Sequence, residues 1–276
     1  MADGFLYKGG SVDSIEDLLR RLEQLNAIGA ALSKERDITR LLESILVAAK
    51  TITQADGGIL YRLTEDRQAL RFEILKTDSL NIAMGGTSGK PIDFPNLPLH
   101  DSQGRPNDSL VAAYAAIHAQ TVNIADAYTA PNFDFSGTRK FDARTGYRSQ
   151  SFLTVPMKDH EGDVIGVLQL LNAKRKPDGQ VVPFSSSDQS LAESLASQAA
   201  IAITNRNLMS QLEAVEMLLA SGYKPARTVY LAYGADEEVA GARGATKIAA
   251  LLKERKVQLD FVIDEGLLVL DGVVPG

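Results

Sequence analysis

Apolar residues recur at helical spacing along the first part of the chain. In SVDSIEDLLRRLEQLNAIGAALSKE they form one stripe, made of Ile15, Leu18, Leu22, Leu25 and Leu32. Spacings of three and four residues are typical of an amphipathic helix and of a coiled-coil seam. We therefore predict an N-terminal dimerisation helix within residues 1–35. The segment ITRLLESILVAAKTITQ predicts a second helix that is packed more deeply.

The middle of the chain carries strand patterns separated by loops. The segment GGILYRLTEDRQALRFEILKT predicts two strands joined by the polar turn TEDRQ, and SQSFLTVPMKDHEGDVIGVLQLLNA predicts a hairpin turned by DHEGD. Between them, residues 84–108 are loop-like, SLVAAYAAIHAQ predicts a short buried helix, and YTAPNFDFSGTRKFD is an irregular aromatic stretch. This order predicts an α+β fold, with an antiparallel sheet flanked by helices.

A long helix is predicted after Pro183, in SSSDQSLAESLASQAAIAITNRNLMSQLEAVEMLLASG. Ser185 and Asp188 have the spacing of a capping box at its start. Asn205 is separated by helical spacings of three and four residues from the apolar residues that follow it in this helix. Such an asparagine either fixes the register of a coiled coil or is simply solvated, and the sequence leaves both readings open.

Beyond the long helix the pattern changes to strand, loop, helix and strand, in ARTVYLAYGADEEVAGARGATKIAALLKERKVQLDFVIDEG. This order predicts a βαβ unit, whose strands lie parallel. Glu237 and Glu238 follow the first strand and Asp264 ends the second. The topology therefore places three carboxylates at the edge where such units gather functional groups.

Composition excludes several functional classes. The net charge of −6 and pI near 5.2 provide no basic surplus for binding nucleic acid. The chain has no cysteine, so disulfides, thiolate metal sites and thiol nucleophiles are excluded. The start lacks a signal-peptide pattern, and no apolar run is long enough to span a membrane. We expect a cytoplasmic protein without a membrane partner.

Residues from about 12 to 212 resemble a GAF domain. The resemblance lies in KFDARTGYRSQSFLTVPMKDHEGDVIGVLQLLNAK and in the helix PFSSSDQSLAESLASQAAIAITNRNL. It implies a small-molecule-sensing module, and we expect the terminal helices to join two copies into a homodimer. The predicted organisation is an N-terminal helix over residues 1–35, a sensor core over 36–185, a long helix and junction over 186–220, and a further segment over 221–276.

The candidate ligand site lies in the loop-rich region. Its aromatic residues, Phe94, Tyr128, Phe133, Phe135 and Phe141, either wall a pocket or fill a second core. Asp126, Arg139 and Arg148 are its candidate polar groups. The resemblance adds Asp142, since cyclic-nucleotide-binding members carry Asn-Lys, Phe and Asp-Glu near this position. Here Asn132 and Lys140 are the nearest counterparts of the first pair, and Ala143 replaces the glutamate. A cyclic nucleotide is therefore a candidate ligand, although this chain lacks the complete motif of the members that bind cyclic nucleotides.

The absence of cysteine also discriminates among GAF functions. Members that reduce free methionine sulfoxide or attach bilins covalently need cysteine, so both roles are excluded. Only three histidines are present, His100, His118 and His160, each in a different segment. We therefore expect no metal or haem in the sensor region.

Residues from about 216 to 276 resemble dizinc peptidases of the aminoacylase and carboxypeptidase-S type. The resemblance lies in GYKPARTVYLAYGADEE, GARGATKIAALLKERKVQLDFVIDEG and DGVVPG. It implies that Glu237 is a vestigial general base and that Glu238 and Asp264 are vestigial zinc ligands. The chain contains no His-x-Asp motif, so most ligands of the family's two zincs are missing.

Three hypotheses follow. The leading one is a non-catalytic sensor fused, as in a chimera, to a hydrolase-like fragment. The alternatives are metal-dependent hydrolysis by the C-terminal segment, with zinc bound, and a purely structural dimerisation scaffold.

Overall fold

The computed structural model describes residues 15–175, 178–225, 228, 230 and 245–258. These residues divide into two compact units, one ending at Glu216 and one beginning at Met217. The α-helices are α1 (Ile15–Leu32), α2 (Ile38–Thr53), α3 (Val111–Ile117), α4 (Ser136–Thr145), α5 (Ser186–Ala220) and α6 (Ala245–Glu254). The strands are β1 (Ala55–Leu63), β2 (Ala69–Thr77), β3 (Ile82–Gly85), β4 (Leu97–Pro98), β5 (Val122–Ile124), β6 (Phe152–Lys158), β7 (Val164–Lys174) and β8 (Val181–Val182).

The strands form one antiparallel sheet in the order β3-β2-β1-β7-β6-β5, with β4 on β2 and β8 on β7. Both predicted hairpins are confirmed, since β1 pairs with β2 and β6 pairs with β7. The central pair, β1 and β7, joins the two hairpins. The α+β class is therefore confirmed, and the sheet continues through both halves of the first unit.

Helices α1, α2 and α5 cover one face of the sheet. Their apolar residues pack with the alternate strand residues that point towards them, and fully buried examples are Leu41, Ile45, Leu60, Leu168 and Leu195. Alternation along β1 and β7 sends Tyr61 and Val167 to the opposite face, where α3 packs. The two faces therefore serve different purposes: one holds the main core and the other holds the loops and short helices.

The predicted N-terminal stripe lies partly in this core. Leu25 and Leu32 are buried among residues of the main core, whereas Leu22 is 41% exposed. The second half of α1 therefore contributes to the fold of the protomer itself. Dimerisation through this helix stays a prediction.

A buried arginine joins the three helices. Arg21 of α1 donates from Nε and Nη2 to the carbonyl of Ile52 at the end of α2, and its Nη2 also pairs with Asp188 of α5. Asp188 in turn forms the predicted capping box, since it accepts from the Ser185 amide at 2.9 Å while its own amide donates to Ser185 Oγ at 3.1 Å. The start of α5 is thus fixed by a local motif and by a distant helix. Asn205, further along α5, is exposed in the protomer.

Gly166, the first residue of the GVLQLLN pattern, marks a close approach of two strands. A Cβ added there would lie 2.4 Å from the carbonyl oxygen of Tyr61 and 2.6 Å from the Met157 methyl group. The neighbouring backbone cannot yield easily, so only glycine fits. This is the physical reason for the glycine in a strand that otherwise favours apolar residues.

The stretch interpreted as irregular contains a helix, and that interpretation was wrong. Helix α4 has few apolar residues, and Asp142 is its only buried residue, so it lacks the apolar periodicity that indicates a helix. It ends at Gly146, whose φ of 70° is the left-handed conformation that glycine favours at a helix end.

In the second unit, helix α6 confirms the predicted helix of the C-terminal segment. The first predicted strand of the βαβ unit lies almost entirely outside the described residues, as do Glu237, Glu238 and Asp264. Among the helices that the structure describes, none is long and apolar enough to cross a lipid bilayer.

Candidate functional site

The sheet face opposite the main core carries a buried polar line. Tyr61 Oη donates to Gln169 Oε1 at 3.2 Å, and Gln169 Nε2 donates to Thr154 Oγ1 at 3.1 Å, across three adjacent strands. Burial raises the pKa of Tyr61 well above its ordinary value, so the phenol stays neutral. Sequence analysis missed this line. Its only signal was Gln169, a polar residue within an apolar strand.

The sequence-predicted polar residues converge on Tyr128, in the loop that follows β5. The Arg148 guanidinium lies over the Tyr128 ring, 4.1 Å from its centroid, and that of Arg139 lies at 5.6 Å. Asp126 accepts from the Tyr128 amide at 2.8 Å and pairs with Arg148 at 3.3 Å. An aromatic ring with two cations on it is thus presented at the surface.

Asp142 has a different place from the other polar candidates. It is only 4% exposed and accepts from Tyr128 Oη at 2.7 Å, from the Ser149 amide at 2.8 Å and from Ser149 Oγ at 2.8 Å. The hydrogen bond to Asp142 raises the pKa of Tyr128. This carboxylate therefore ties α4 to the Tyr128 loop and to the segment that enters β6.

The candidate aromatic residues do not form one wall. Phe94 contacts Phe72, Phe133 contacts Tyr114, and Phe135 contacts Phe152, with ring centroids 5.4, 5.5 and 5.1 Å apart. Phe135 and Phe152 belong to a separate buried cluster with Ile124 and Leu171. Phe141 is half-buried on α4 and has no ring contact among the described residues. Phe133 and Phe135 therefore pack on the second face of the sheet, whereas Phe94 is 39% exposed.

The exposed cations of this region form a strip that we call the α4 basic strip. Its members are Arg139, Lys140, Arg144 and Arg148, all exposed. Arg148 pairs with Asp126, but in the described part of the chain the other three have no ion pair with a carboxylate. The strip is positively charged, although the chain as a whole has a net negative charge. It can attract an anion to the Tyr128 ring.

A second network, centred on Asp56 at the start of β1, was missed by sequence analysis. Asp56 is 2% exposed and accepts from Tyr147 Oη at 2.7 Å, from Ser79 and from Lys174. Burial by itself would raise the pKa of this carboxyl, but these hydrogen bonds outweigh burial and hold the pKa below its ordinary value of 3.8. The ionised Asp56 thus fixes Tyr147, next to Arg148, on the end of the sheet.

Asn172 completes the support beneath Arg148. It adopts a left-handed φ of 56° inside β7, accepts from the Gln150 amide at 2.7 Å and donates to the Arg148 carbonyl at 2.7 Å. Asparagine tolerates this conformation better than most residues. The signal in the sequence was the polar residue that ends the apolar run GVLQLL. Its role could not be read from that run, because both partners lie more than twenty residues away.

Metal-ligating residues do not gather in the described part of the chain: no group of three or more histidine, aspartate or glutamate side chains there could hold a metal ion. His118 pairs with Asp108 at 2.7 Å, and His160 lies 3.7 Å from Glu161. The candidate zinc ligands Glu238 and Asp264 are outside the residues to which this finding applies.

Comparison with known proteins identifies the first unit. The family model for the GAF domain matches residues 37–203. The fold is similar to the GAF domain of the Acinetobacter phosphoenolpyruvate-protein phosphotransferase, with a TM-score of 0.50 and 18% identity over 70% of this chain and 98% of that one. It is also similar to the corresponding domain from Coxiella burnetii, with a TM-score of 0.51 and 14% identity over 72% and 98%.

A short segment has different relatives. It is 51% identical over 74 residues to the N-fatty-acyl-amino acid synthase/hydrolase PM20D1 of Bos taurus, and 45% identical over 69 residues to that of Homo sapiens. The match covers 26% and 25% of this chain but only 15% and 14% of those proteins. The chain thus joins a sensor-type fold to a fragment similar to part of a hydrolase.

Proposed function

This chain belongs to the GAF domain family, and we propose that it is a non-catalytic module that senses a small anionic molecule, with purine nucleotides and cyclic nucleotides the first class to test. The observation that carries the proposal is the position of Arg148 and Arg139 on the Tyr128 ring. A guanidinium and an aromatic ring offer stacking surface for a base, and the α4 basic strip offers charge for a phosphate.

In this proposal the hydrogen bonds of Asp142 take the place of the incomplete family motif. Ala143 stands where a glutamate is expected, and Lys140 is exposed. Asp142 instead takes its partners from Tyr128 and Ser149, and it is buried with them. The resemblance assigns this motif to holding a lid over the ligand. The Asp142 network supports the same role for α4, with hydroxyl groups in place of the missing residues.

The proposal predicts a selective loss of binding when Arg148 is replaced by glutamine. We expect cyclic AMP, cyclic GMP or AMP to raise the melting temperature of the intact chain, because a ligand that binds only the folded state stabilises it. Arg148→Gln should raise the dissociation constant of that ligand by about tenfold, which corresponds to about 1.4 kcal/mol. Titration calorimetry and thermal shift both measure this change.

Arg105→Gln is the matched control, because Arg105 is an exposed arginine paired with Asp101 away from the strip. It should bind the ligand as the intact chain does. If no nucleotide stabilises the fold, or if both variants lose affinity equally, the nucleotide proposal is wrong.

A homodimer is the proposed signalling state. Helix α5 exposes Leu208, Met209 and Leu212 within the first unit, with Leu212 40% and Met209 57% exposed. In α1, Leu19 is 55% exposed. Exposed apolar side chains at helical spacing favour a partner helix. Native mass spectrometry of the purified chain reports subunit number and bound mass together. A dimer without any bound mass would favour the scaffold alternative.

Hydrolysis by the C-terminal segment is the second candidate, and the similarity to N-fatty-acyl-amino acid synthase/hydrolases favours it. In this proposal Glu237 takes a proton from a metal-bound water while Glu238 and Asp264 hold zinc. Two ligands are fewer than the three that zinc sites usually need. Zinc retained on the chain, together with cleavage of an N-fatty-acyl amino acid that Glu237→Gln abolishes, would establish this activity.

A further inference from the structure

A polar cleft of about 530 Å³ lies at the end of α2, beside the start of β1 and the ends of β2 and β7. Its volume is within the usual range for small-molecule sites. Four cationic residues contribute to its lining, namely Lys50, Lys76, Lys174 and Arg175, together with the carboxylates Asp56 and Asp78. Two further carboxylates, Glu43 and Asp178, pair with Lys76 and Arg175, so each of the four cations has one carboxylate partner.

Each lysine of the cleft is held in place by one carboxylate. Lys50 pairs with Asp78 at 2.5 Å, Lys174 with Asp56, and Lys76 with Glu43. An ammonium group has three N–H donors, and within the described residues each of these has one hydrogen-bond acceptor. Further donors on three positioned ammonium groups are thus available to a ligand.

The acceptors of the inner wall, by contrast, are already used. Both oxygens of Asp56 accept hydrogen bonds, from Ser79, Tyr147 and Lys174. The carbonyls of Lys50 and Thr51, two lining residues of α2, are also occupied, since both accept from the Gln54 amide. The cleft therefore offers its occupant the remaining N–H donors of three ammonium groups.

We propose that this cleft is a second binding site, separate from the Tyr128 site, which takes the phosphate or diphosphate group of a small phosphorylated molecule. A phosphate group carries several charged acceptor oxygens, which match the N–H donors that the three ammonium groups still offer. Lys50 is the central contact, because its side chain is 7% exposed and is held by an exposed Asp78. Arg175 lies at the rim, paired with Asp178 at 2.6 Å.

The test uses inorganic pyrophosphate and inorganic phosphate as probes, titrated calorimetrically into the full chain at low ionic strength. We expect pyrophosphate to bind, and Lys50→Met to weaken binding by about tenfold. Methionine retains the apolar stem of the lysine, and Asp78, with a side chain 73% exposed, remains solvated. Arg175→Gln is a second variant at an exposed ion pair and should weaken binding in the same direction.

Lys158→Met is the matched control, because Lys158 is exposed at the end of β6 and does not line the cleft. It should bind pyrophosphate as the intact chain does. Arg148→Gln separates the two sites: it should reduce nucleotide binding and leave pyrophosphate binding unchanged. Loss of pyrophosphate binding in Arg148→Gln alone would place the probe at the α4 basic strip and overturn the second site.

Two further outcomes would also overturn the proposal. One is the absence of any pyrophosphate or phosphate binding by the intact chain. The other is binding of a tricarboxylate such as citrate by a chain that does not bind pyrophosphate, since the cleft would then select carboxylates.

Discussion

Replacing Arg21 by methionine is expected to lower the free energy of unfolding by about 3 kcal/mol, the lower end of the cost of breaking a buried ion pair. The Arg21 side chain is 6% exposed and its partner Asp188 is 14% exposed. Without the guanidinium, the carbonyl of Ile52 loses its donor and a largely buried carboxylate loses its cation. The loss stays at the lower end because Ser185 still donates to Asp188.

Urea denaturation followed by far-ultraviolet circular dichroism measures this change. Arg20→Met is the matched control, since Arg20 is the neighbouring arginine on the exposed side of α1. It should shift the midpoint far less, as surface substitutions usually do. Equal losses in the two variants would show that the junction of α1, α2 and α5 contributes no more than a surface contact.

Replacing Asp56 by asparagine is expected to cost about 2–3 kcal/mol at neutral pH, because a buried carboxylate that accepts several hydrogen bonds loses its charge. The asparagine side chain would also present an amide N–H₂ group where one carboxylate oxygen of Asp56 now accepts. Lys174 is 37% exposed and recovers part of its solvation in the variant. The loss of stability is therefore smaller than the full cost of breaking a buried ion pair.

The loss should depend on pH with a definite sign. The folded pKa of Asp56 is below its ordinary value, so its contribution to stability is fully present above roughly pH 4 and is lost as the pH falls through the folded pKa. The difference in stability between the intact chain and Asp56→Asn should therefore shrink under acidic conditions. Denaturation at a series of pH values measures it.

Asp93→Asn is the control for that series, because Asp93 is exposed. Its stability should follow that of the intact chain at every pH. A difference between the intact chain and Asp56→Asn that stays constant down to strongly acidic pH would contradict the assignment of an ionised Asp56.

Elements with a local signal were predictable from the amino-acid sequence. The hairpins β1–β2 and β6–β7, helices α2 and α3 and the capping box of α5 all follow from apolar patterns or from residues three positions apart. The resemblance in the TGYRSQSFLTVPM region also identified the family. Helix α4 was not predicted, because it buries an aspartate and has no apolar stripe.

Contacts between side chains that are distant in the sequence became visible in the folded chain. The hydrogen bond of Tyr147 to Asp56 spans 91 positions, the pair of Arg21 and Asp188 spans 167, and the pair of Lys174 and Asp56 spans 118. Sequence patterns report the environment of neighbouring residues, whereas these contacts depend on strand order and on helix packing. The polar residues near Tyr128 were therefore predictable as candidates. The packing of α4 and its adjoining loops against the sheet leaves the arginines exposed around the Tyr128 ring and buries Asp142. The sequence did not show this difference between them.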